Sequence, residues 1–599
     1  MSISQNFVNL RPSLLLDFAN TEQLDPRITF SRPTTAAYYD ANTTALAEQN
    51  LFTYSQLFSN AIWTVNTSII TATSGITAPD GTSTAFVINE GTATNNHNIP
   101  YSVGFNAGTY TSSIYVQNVT GRYFTMTCTY AGASYASVVF DLSTGAVVNS
   151  SAISGFTLLG SSITAVGSWY RCAITFTSTN ATSNILNFSL NNSSAISTYG
   201  LNSYTGTSNT LNIWGAQLEQ RSTVTAYNAT TTTAITNYIP VLLTAPTNQA
   251  RFDHDPVART SLGLLIEQQS TNLLTYSSAF DNAVWTKTNC SVTTTADVSP
   301  DGTQNAQKII PASSSASFAI TTPITTLGTL TSSIYLKAAE ITSVAIFNYN
   351  GADGDRYAVF NLSTGAVTGS YGSTYSITPV GNGWYRCSMT VTSTSLSGAT
   401  LNIVRNTYSG NGFNGFFAWG AQLEALAFPT SYIPTVASQV TRSADSASMT
   451  GTNFSSWYNP AGGTVYSEFI LRNTAAFQPS FSINSGTNAN EVILGGLTTT
   501  GYYVVYANGT VQFNANPTVG AINTTTKASM SFLNNTVFGA SFNGAAATNS
   551  ASSLITAQNV NILLIGNETQ QRKMNGTIKK LMFYPVAATN TQLQSLTGS

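Results

Sequence analysis

The sequence predicts an all-β chain of tandem antiparallel β-sandwiches, two jelly-roll repeats followed by a third sandwich of different text. Three observations carry this. A domain-sized pattern occurs twice in the same order, with Trp-Gly-Ala-Gln-Leu-Glu at Trp214 to Glu219 and again at Trp419 to Glu424. Short runs with period-two alternation are separated by Gly, Pro, Asn and Ser, and no helical periodicity is sustained. Finally, only 7% of the 599 residues are charged while 11% are aromatic. A chain that poor in charge but rich in aromatic and β-branched residues is folded rather than disordered, and its Thr, Ser, Asn and Gly suit strands joined by polar turns.

Residues 1–49 form a leading segment with Leu14-Leu-Leu-Asp-Phe18 and Ile28-Thr-Phe-Ser-Arg32, too small for a core of its own. The first repeat, 50–233, opens on Asn50-Leu-Phe-Thr-Tyr54; the second, 272–445, opens on Asn272-Leu-Leu-Thr-Tyr276. Trp63 answers to Trp285, Ser112-Ser-Ile-Tyr115 to Ser332-Ser-Ile-Tyr335, and Trp169-Tyr-Arg-Cys172 to Trp384-Tyr-Arg-Cys387. The offset falls from 222 at Asn50/Asn272 to 205 at Trp214/Trp419, so the second copy has lost residues, as surface loops do. Between the repeats, 234–271 is a β connector expected to pack with the leading segment, because neither alone closes a sheet. Residues 446–599 change text, with runs such as Thr464-Val-Tyr-Ser-Glu-Phe-Ile-Leu471 and Ile578-Lys-Lys-Leu-Met-Phe-Tyr584, and only Thr589 to Leu596 hints at a helical turn.

Several functions are disfavoured by composition. The net charge is −2, without a Lys/Arg-rich run, so nucleic acid is not an expected partner. No apolar run approaches the roughly 18 residues of a membrane span, and the N-terminus lacks the basic and apolar regions of a signal peptide; a soluble chain without membrane insertion is expected. Of the four cysteines, only Cys172 and Cys387 are equivalent between repeats. Both share an apolar parity with Ile174 and Met389, and are read as core residues.

Catalysis needs converging titratable groups, and the chain has only His97 and His254. His254 lies between Asp253 and Asp255, but neighbours on a strand face opposite ways, so a turn is favoured over a metal or acid/base cluster. Glu219, Glu267, Glu424 and Glu468 are candidates for a glycosidase pair; Glu219 and Glu424 recur with their motif and read as scaffold. Asp353-Gly-Asp355 offers oxygen ligands for a structural Ca²⁺, yet Ala133-Ser-Tyr135 stands at the matching place of the first copy, so the loop is read as calcium-free and no cofactor is expected. The chain is read as no enzyme.

Aromatic faces with nearby amides and hydroxyls are what sugar recognition needs, and 29 tyrosines amid abundant Asn, Thr and Ser supply them. The candidate glycan-binding residues are Trp169 and Arg171, with Trp384 and Arg386 in the second copy. They lie on the parity opposite the cysteines and are spaced to pair by cation–π contact. A structural clasp over the sheet competes with that role and is favoured.

Arg251-Phe-Asp-His-Asp-Pro256, Ser261-Leu-Gly-Leu-Leu-Ile-Glu267 and Leu16-Asp-Phe18 resemble a block recurrent in bacteriophage tail and virion proteins. Gly383-Trp-Tyr-Arg-Cys387, Trp419 to Glu424 and Thr430-Ser-Tyr-Ile-Pro434 resemble their carbohydrate-binding-module-like jelly rolls, and 446–599 resembles a concanavalin A or laminin-G sandwich. That resemblance implies a virion protein of the tail-fibre or adhesin type, docked on the particle by residues 1–49, binding host-surface glycans and assembling as a homotrimer. It leaves open a head fibre or capsid-decorating protein of mainly structural role, and less readily a polysaccharide depolymerase. One departure from the pattern stands out: the first module precedes the Arg251 block instead of following it.

Overall fold

The computed structural model describes residues 11–598, apart from 65–70, 131–133, 180–182, 314, 350–353, 397–399, 474–477, 488, 498–499, 508–509, 516–520, 534–535, 551–559 and 570–571. It is an all-β protein of three sandwiches. The described helices are short, at Phe18–Thr21, Thr452–Ser455 and Asn590–Gly598, and none is long and apolar enough to cross a membrane.

Each repeat folds as two antiparallel sheets face to face. In the first, a six-stranded sheet runs in the order Phe156–Val166, Trp169–Ser178, Gly108–Asn118, Thr210–Glu219, Ala85–Asn89, Thr71–Ile76. The second repeats that order with Thr374–Gly381, Trp384–Ser393, Gly328–Ala338, Phe416–Glu424, Ala306–Pro311 and Cys290–Asp297. Alternation decides which side chains enter the core: Ile114, Cys172, Ile174 and Phe176 lie inside the first sandwich, and Ile334, Cys387 and Met389 inside the second. Cys172 and Cys387 are fully buried in these cores, free of any disulfide.

The opening motif works identically in both copies. Asn50 donates from its amide to the carbonyls of Ala216 and Asn228, and Asn272 does the same to Ala421 and Ile433. Trp63 and Trp285 each donate from Nε1 to the carbonyl nine residues earlier, at 3.0 Å. These bonds tie the entry of each module to its last strand, which is why the two ends of each repeat are among its best-matched parts.

The leading segment is not a free tether. Leu14–Asp17 pairs with the Lys580–Phe583 half of strand Gly576–Tyr584, and Leu264 to Ile266 of the connector pairs with its other half. Thr29–Ser31 adds an edge to the opposite sheet by pairing with Ser446–Thr450. Leu14, Leu16, Phe18, Leu264 and Ile266 therefore share one core with Phe469, Phe481 and Phe583. Leu15, of opposite parity, is half exposed. The remaining parts of both segments form a long hairpin, Ala36–Asn50 against Ile235–Ala245, with the first module inserted at its open end.

Where these segments meet, five charged side chains are buried together. Asp445 accepts from Arg32 Nη1 at 3.0 Å and Arg251 Nη2 at 2.6 Å; Glu267 accepts from Arg251 Nη1 at 2.8 Å, with Arg442 Nη2 at 3.6 Å. None is more than 2% exposed. The Arg251 block is thus a structural clamp joining leading segment, connector and the exit of the second module to the third sandwich.

Candidate functional site

The Trp-Gly-Ala-Gln-Leu-Glu motif shapes a ring-lined face on each repeat. Gly215 and Gly420 sit at φ +63° and +62° within a break of strand register, and a Cβ there would meet tyrosine ring atoms at 3.0–3.3 Å. Lacking a Cβ, they let two tyrosines close over the preceding tryptophan. In the first module Tyr115, Trp214 and Tyr227 stand with centroids 5.2 and 4.7 Å apart around the tryptophan; in the second Tyr335, Trp419 and Tyr432 repeat this at 5.3 and 4.7 Å. Gln217 and Gln422 fold the following loop back over the strand, each accepting from a loop backbone N–H, of Asn228 and Ile433. Ser55 and Ser277 pin the hydroxyls of Tyr227 and Tyr432.

The sequence-derived candidates fall on this face, but not as a sugar platform. Trp169 is 4% exposed and Trp384 is 0% exposed, and Trp384 donates from Nε1 to the carbonyl of Val298. Their parity is indeed opposite to the cysteines; what periodicity hid is that the other side of the sheet is covered too. Arg171 and Arg386 do not pair with those tryptophans. They lie over Tyr115 and Tyr335 at 5.2 and 5.5 Å, the residues directly opposite them on the neighbouring strand. Their Nη2 groups donate to Ser113 and Ser333, both at 3.0 Å. Trp169 and Trp384 are buried, Arg171 and Arg386 are both partly exposed, and of the four Arg171 borders a cleft.

That space is a cleft of about 710 Å³ between the two repeats, within the range of ligand sites. At its base Tyr115 and Trp214 of the first module are buried beneath Phe413 of the second, which packs edge-on against them with ring centroids at 6.0 and 6.4 Å, so the partly exposed rings are Tyr227 and Phe413. One wall is Ser162 and Thr164, the other Ser291 and Thr293. In the second module the equivalent face has no such opening: Tyr39, Ala47, Ile239 and Leu242 of the hairpin pack on Tyr335, Trp419 and Tyr432 in one buried cluster. Sequence reading did not find the cleft. The twin Ser-Ile-Tyr motifs carried Tyr115, but nothing marked Phe413.

Charges around the cleft are matched. Lys308 Nζ lies 2.8 Å from Glu340, and Lys337 Nζ lies 2.7 Å from Asp297, with Glu48 on its other side. Burial pushes Asp297 up to about 7 and Lys337 down to about 7, so that contact has no net charge as an ion pair or as a neutral pair. Asp297 also accepts from the Val298 N–H.

The other candidates for chemistry are engaged elsewhere. Glu219 accepts from Thr225 and pairs with Arg221; Glu424 accepts from Thr430; Glu267 belongs to the clamp. Glu468, on a strand of the third sandwich, has the Tyr466 hydroxyl at 3.3 Å. His254 ends the strand Phe252–His254 and bonds Glu22, while Asp253 accepts from the Tyr39 N–H and Asp255 holds the turn at Val257 and Ala258. Three neighbours thus have three separate partners. His97 faces the Tyr204 carbonyl at 3.1 Å. Asp353 and Ala133 lie outside the described residues, and among those described no group of three His, Cys, Asp or Glu is set to hold a metal.

No family model and no curated protein matches the sequence. Among solved structures the chain is similar to the CBM40 of the Ruminococcus gnavus IT-sialidase bound to α2,3-sialyllactose, at 15% identity over 23% of this chain and 83% of that one, TM-score 0.21. It is similar to the LG1-3 region of the laminin α2 chain at 8% identity over 83% and 96%, TM-score 0.19. A Trypanosoma rangeli sialidase in complex with the inhibitor DANA matches at 10% identity over 86% and 98%, TM-score 0.20. The assignment of the fold rests on the strand pairing above.

Proposed function

We propose that this chain is a non-enzymatic, glycan-binding protein of a bacteriophage particle, of tail-fibre or adhesin type, and that its ligand enters the cleft between the two jelly rolls. The observation that carries the binding site is the unequal fate of one duplicated face. The Tyr-Trp-Tyr surface of the second module is covered by a tyrosine ring and aliphatic side chains of the hairpin, whereas in the first, where Tyr115 and Trp214 are themselves buried under Phe413, the ring of Tyr227 stays partly exposed at a cleft of about 710 Å³. A surface that docks a ring from its own chain in one copy is suited to dock a ring from outside in the other.

What supports a binding role over hydrolysis is that Glu219, Glu267 and Glu424 are buried and committed to structural bonds. Residence on a virion, and trimeric assembly, rest on the sequence resemblance of residues 1–445. The test is binding of the full chain to a glycan array and to intact host cells, with Phe413→Ala alongside. Adhesion that weakens with Phe413→Ala is the expected result; absence of binding to every glycan and envelope overturns the proposal.

A further inference from the structure

Resting on that reading of the cleft, we infer that its ligand is a neutral, hydroxyl-rich glycan and not an acidic sugar. The ionisable side chains bordering the cleft are Asp80, Asp297 and Glu340 against Arg171, Lys308 and Lys337, a formal balance of zero. Lys308 is held by Glu340 and Lys337 by Asp297, with Glu48 also against Lys337. Asp80 is occupied in its turn, accepting from Thr82 N and Oγ1 at 2.9 and 2.7 Å. A carboxylate or sulfate entering such a site gives up its hydration and meets two lysines already held by carboxylates.

Arg171 is the residue that argues the other way, and the second module serves as its control. Its guanidinium lies on Tyr115 and donates to Ser113 Oγ and the Thr225 carbonyl. Arg386 stacks on Tyr335 and donates to Ser333 in the same manner, on the module whose tyrosine and tryptophan rings the hairpin covers. An interaction made identically with and without a cleft is part of the scaffold. Arg171 is held on its tyrosine with both Nη groups engaged, and its charge, offset in the cleft through the formal balance with Asp80, is read directly by Arg171→Gln in the test.

What remains for a ligand is chemically uniform. The walls offer hydroxyls from Ser162, Thr164, Ser291 and Thr293, and Asn228 adds an amide. All can donate and accept, which matches sugar hydroxyls that do both. The partly exposed rings of Tyr227 and Phe413 offer an apolar surface for one face of a pyranose. Neutral donors and acceptors beside partly exposed rings favour ligands whose affinity does not depend on ion pairing.

The test is direct binding of the full chain to two sets of purified oligosaccharides. One set is neutral: gluco-, galacto-, manno- and N-acetylglucosamine trisaccharides. The other is acidic: sialyl-, glucuronyl- and sulfated trisaccharides. Expected is binding within the neutral set, changing less than about twofold between low and high salt because no exposed ion pair is made, and weakened at least about tenfold by Phe413→Ala. Thr164→Trp, at an exposed wall position, blocks the cleft without touching a core and is expected to act likewise. Preferential binding of the acidic set, steeply salt-dependent and lost in Arg171→Gln, overturns the neutral class while leaving the cleft as the site. Binding to either set that survives both Phe413→Ala and Thr164→Trp overturns the site itself.

Discussion

The buried clamp makes a quantitative prediction through Asp445→Asn. Among the described residues Asp445 is the acidic partner of Arg32, at 3.0 Å, and one of two for Arg251, at 2.6 Å, and all five side chains of the clamp are buried. The native group holds three arginines against two carboxylates, a net charge of +1; the variant raises this to +2 with no change in size. Removing one partner of a buried ion pair costs about 3–5 kcal/mol, since the other charge stays desolvated. Most of that cost belongs to the stranded arginine, so Arg32→Met added to Asp445→Asn should recover part of it. Equilibrium urea unfolding followed by tryptophan fluorescence measures both. If Asp445→Asn lies within about 1 kcal/mol of the parent, the clamp is not a desolvated network and the reasoning fails.

Other expectations follow from the same geometry. Gly215→Ala forces a left-handed backbone on a residue with a Cβ and presses it on Tyr115 and Tyr227, so thermal unfolding should report a loss of about 1–3 kcal/mol; an unchanged midpoint would contradict the ring packing. Native protein should leave Cys128, Cys172 and Cys387 unmodified by a thiol reagent at pH 8, with slow reaction at Cys290, whose half-buried thiol burial pushes up to about 11, and all four should react in urea. For Glu267, burial alone would raise the carboxyl, but Arg442, Arg251 and bonds from Ser431 outweigh it and hold the group well below its usual range. Its folded pKa is thus lower than the unfolded value near 4.3, so its stabilisation is complete above that pH and is lost as pH falls below about 4. Unfolding midpoints measured from pH 5 to pH 3 should drop, and less steeply in Glu267→Gln; parallel slopes would refute the assignment.

The architecture was legible because it depends on local pattern. Alternation placed Cys172, Ile174 and Phe176 inside, and repeated words aligned two sandwiches whose strand orders coincide. Trp169 and Trp384 show where such reasoning stops: parity says which face a side chain takes, and coverage of that face is a long-range event, here supplied by a hairpin drawn from residues 36–50 and 235–245. Arg171 shows the same limit in register. Its ring partner is Tyr115, 56 positions away in sequence but directly opposite across the sheet. The clamp was hidden for a related reason, because Arg32, Arg251 and Arg442 come from three segments far apart in sequence. Phe413 has no repeated counterpart in its surroundings, and it faces the cleft only because the second module lies against the first.

The order of segments explains why the hairpin covers the ring face of the second module while that of the first borders the cleft, and offers a decisive deletion. Ala36–Asn50 leads into the first module and Ile235–Ala245 leads out, so the hairpin is formed by the very strands from which that module hangs. Its packing reaches the second module, where Gly302 and Gly381 leave room for Val241 and Pro240. Without the inserted module the chain would retain one jelly roll, one capped face and no cleft. Asn50 and Ile235 are cross-strand partners, so residues 51–234 can be replaced by an Asn-Gly turn that closes the hairpin. The clamp, the second core and the third core contain no residue from the deleted stretch. The shortened chain should keep its β-type circular dichroism and cooperative unfolding while losing glycan binding entirely. Retained binding at parental affinity would move the site away from the cleft, to the second module or the third sandwich, and would make the inserted copy a spacer instead of the recognition element.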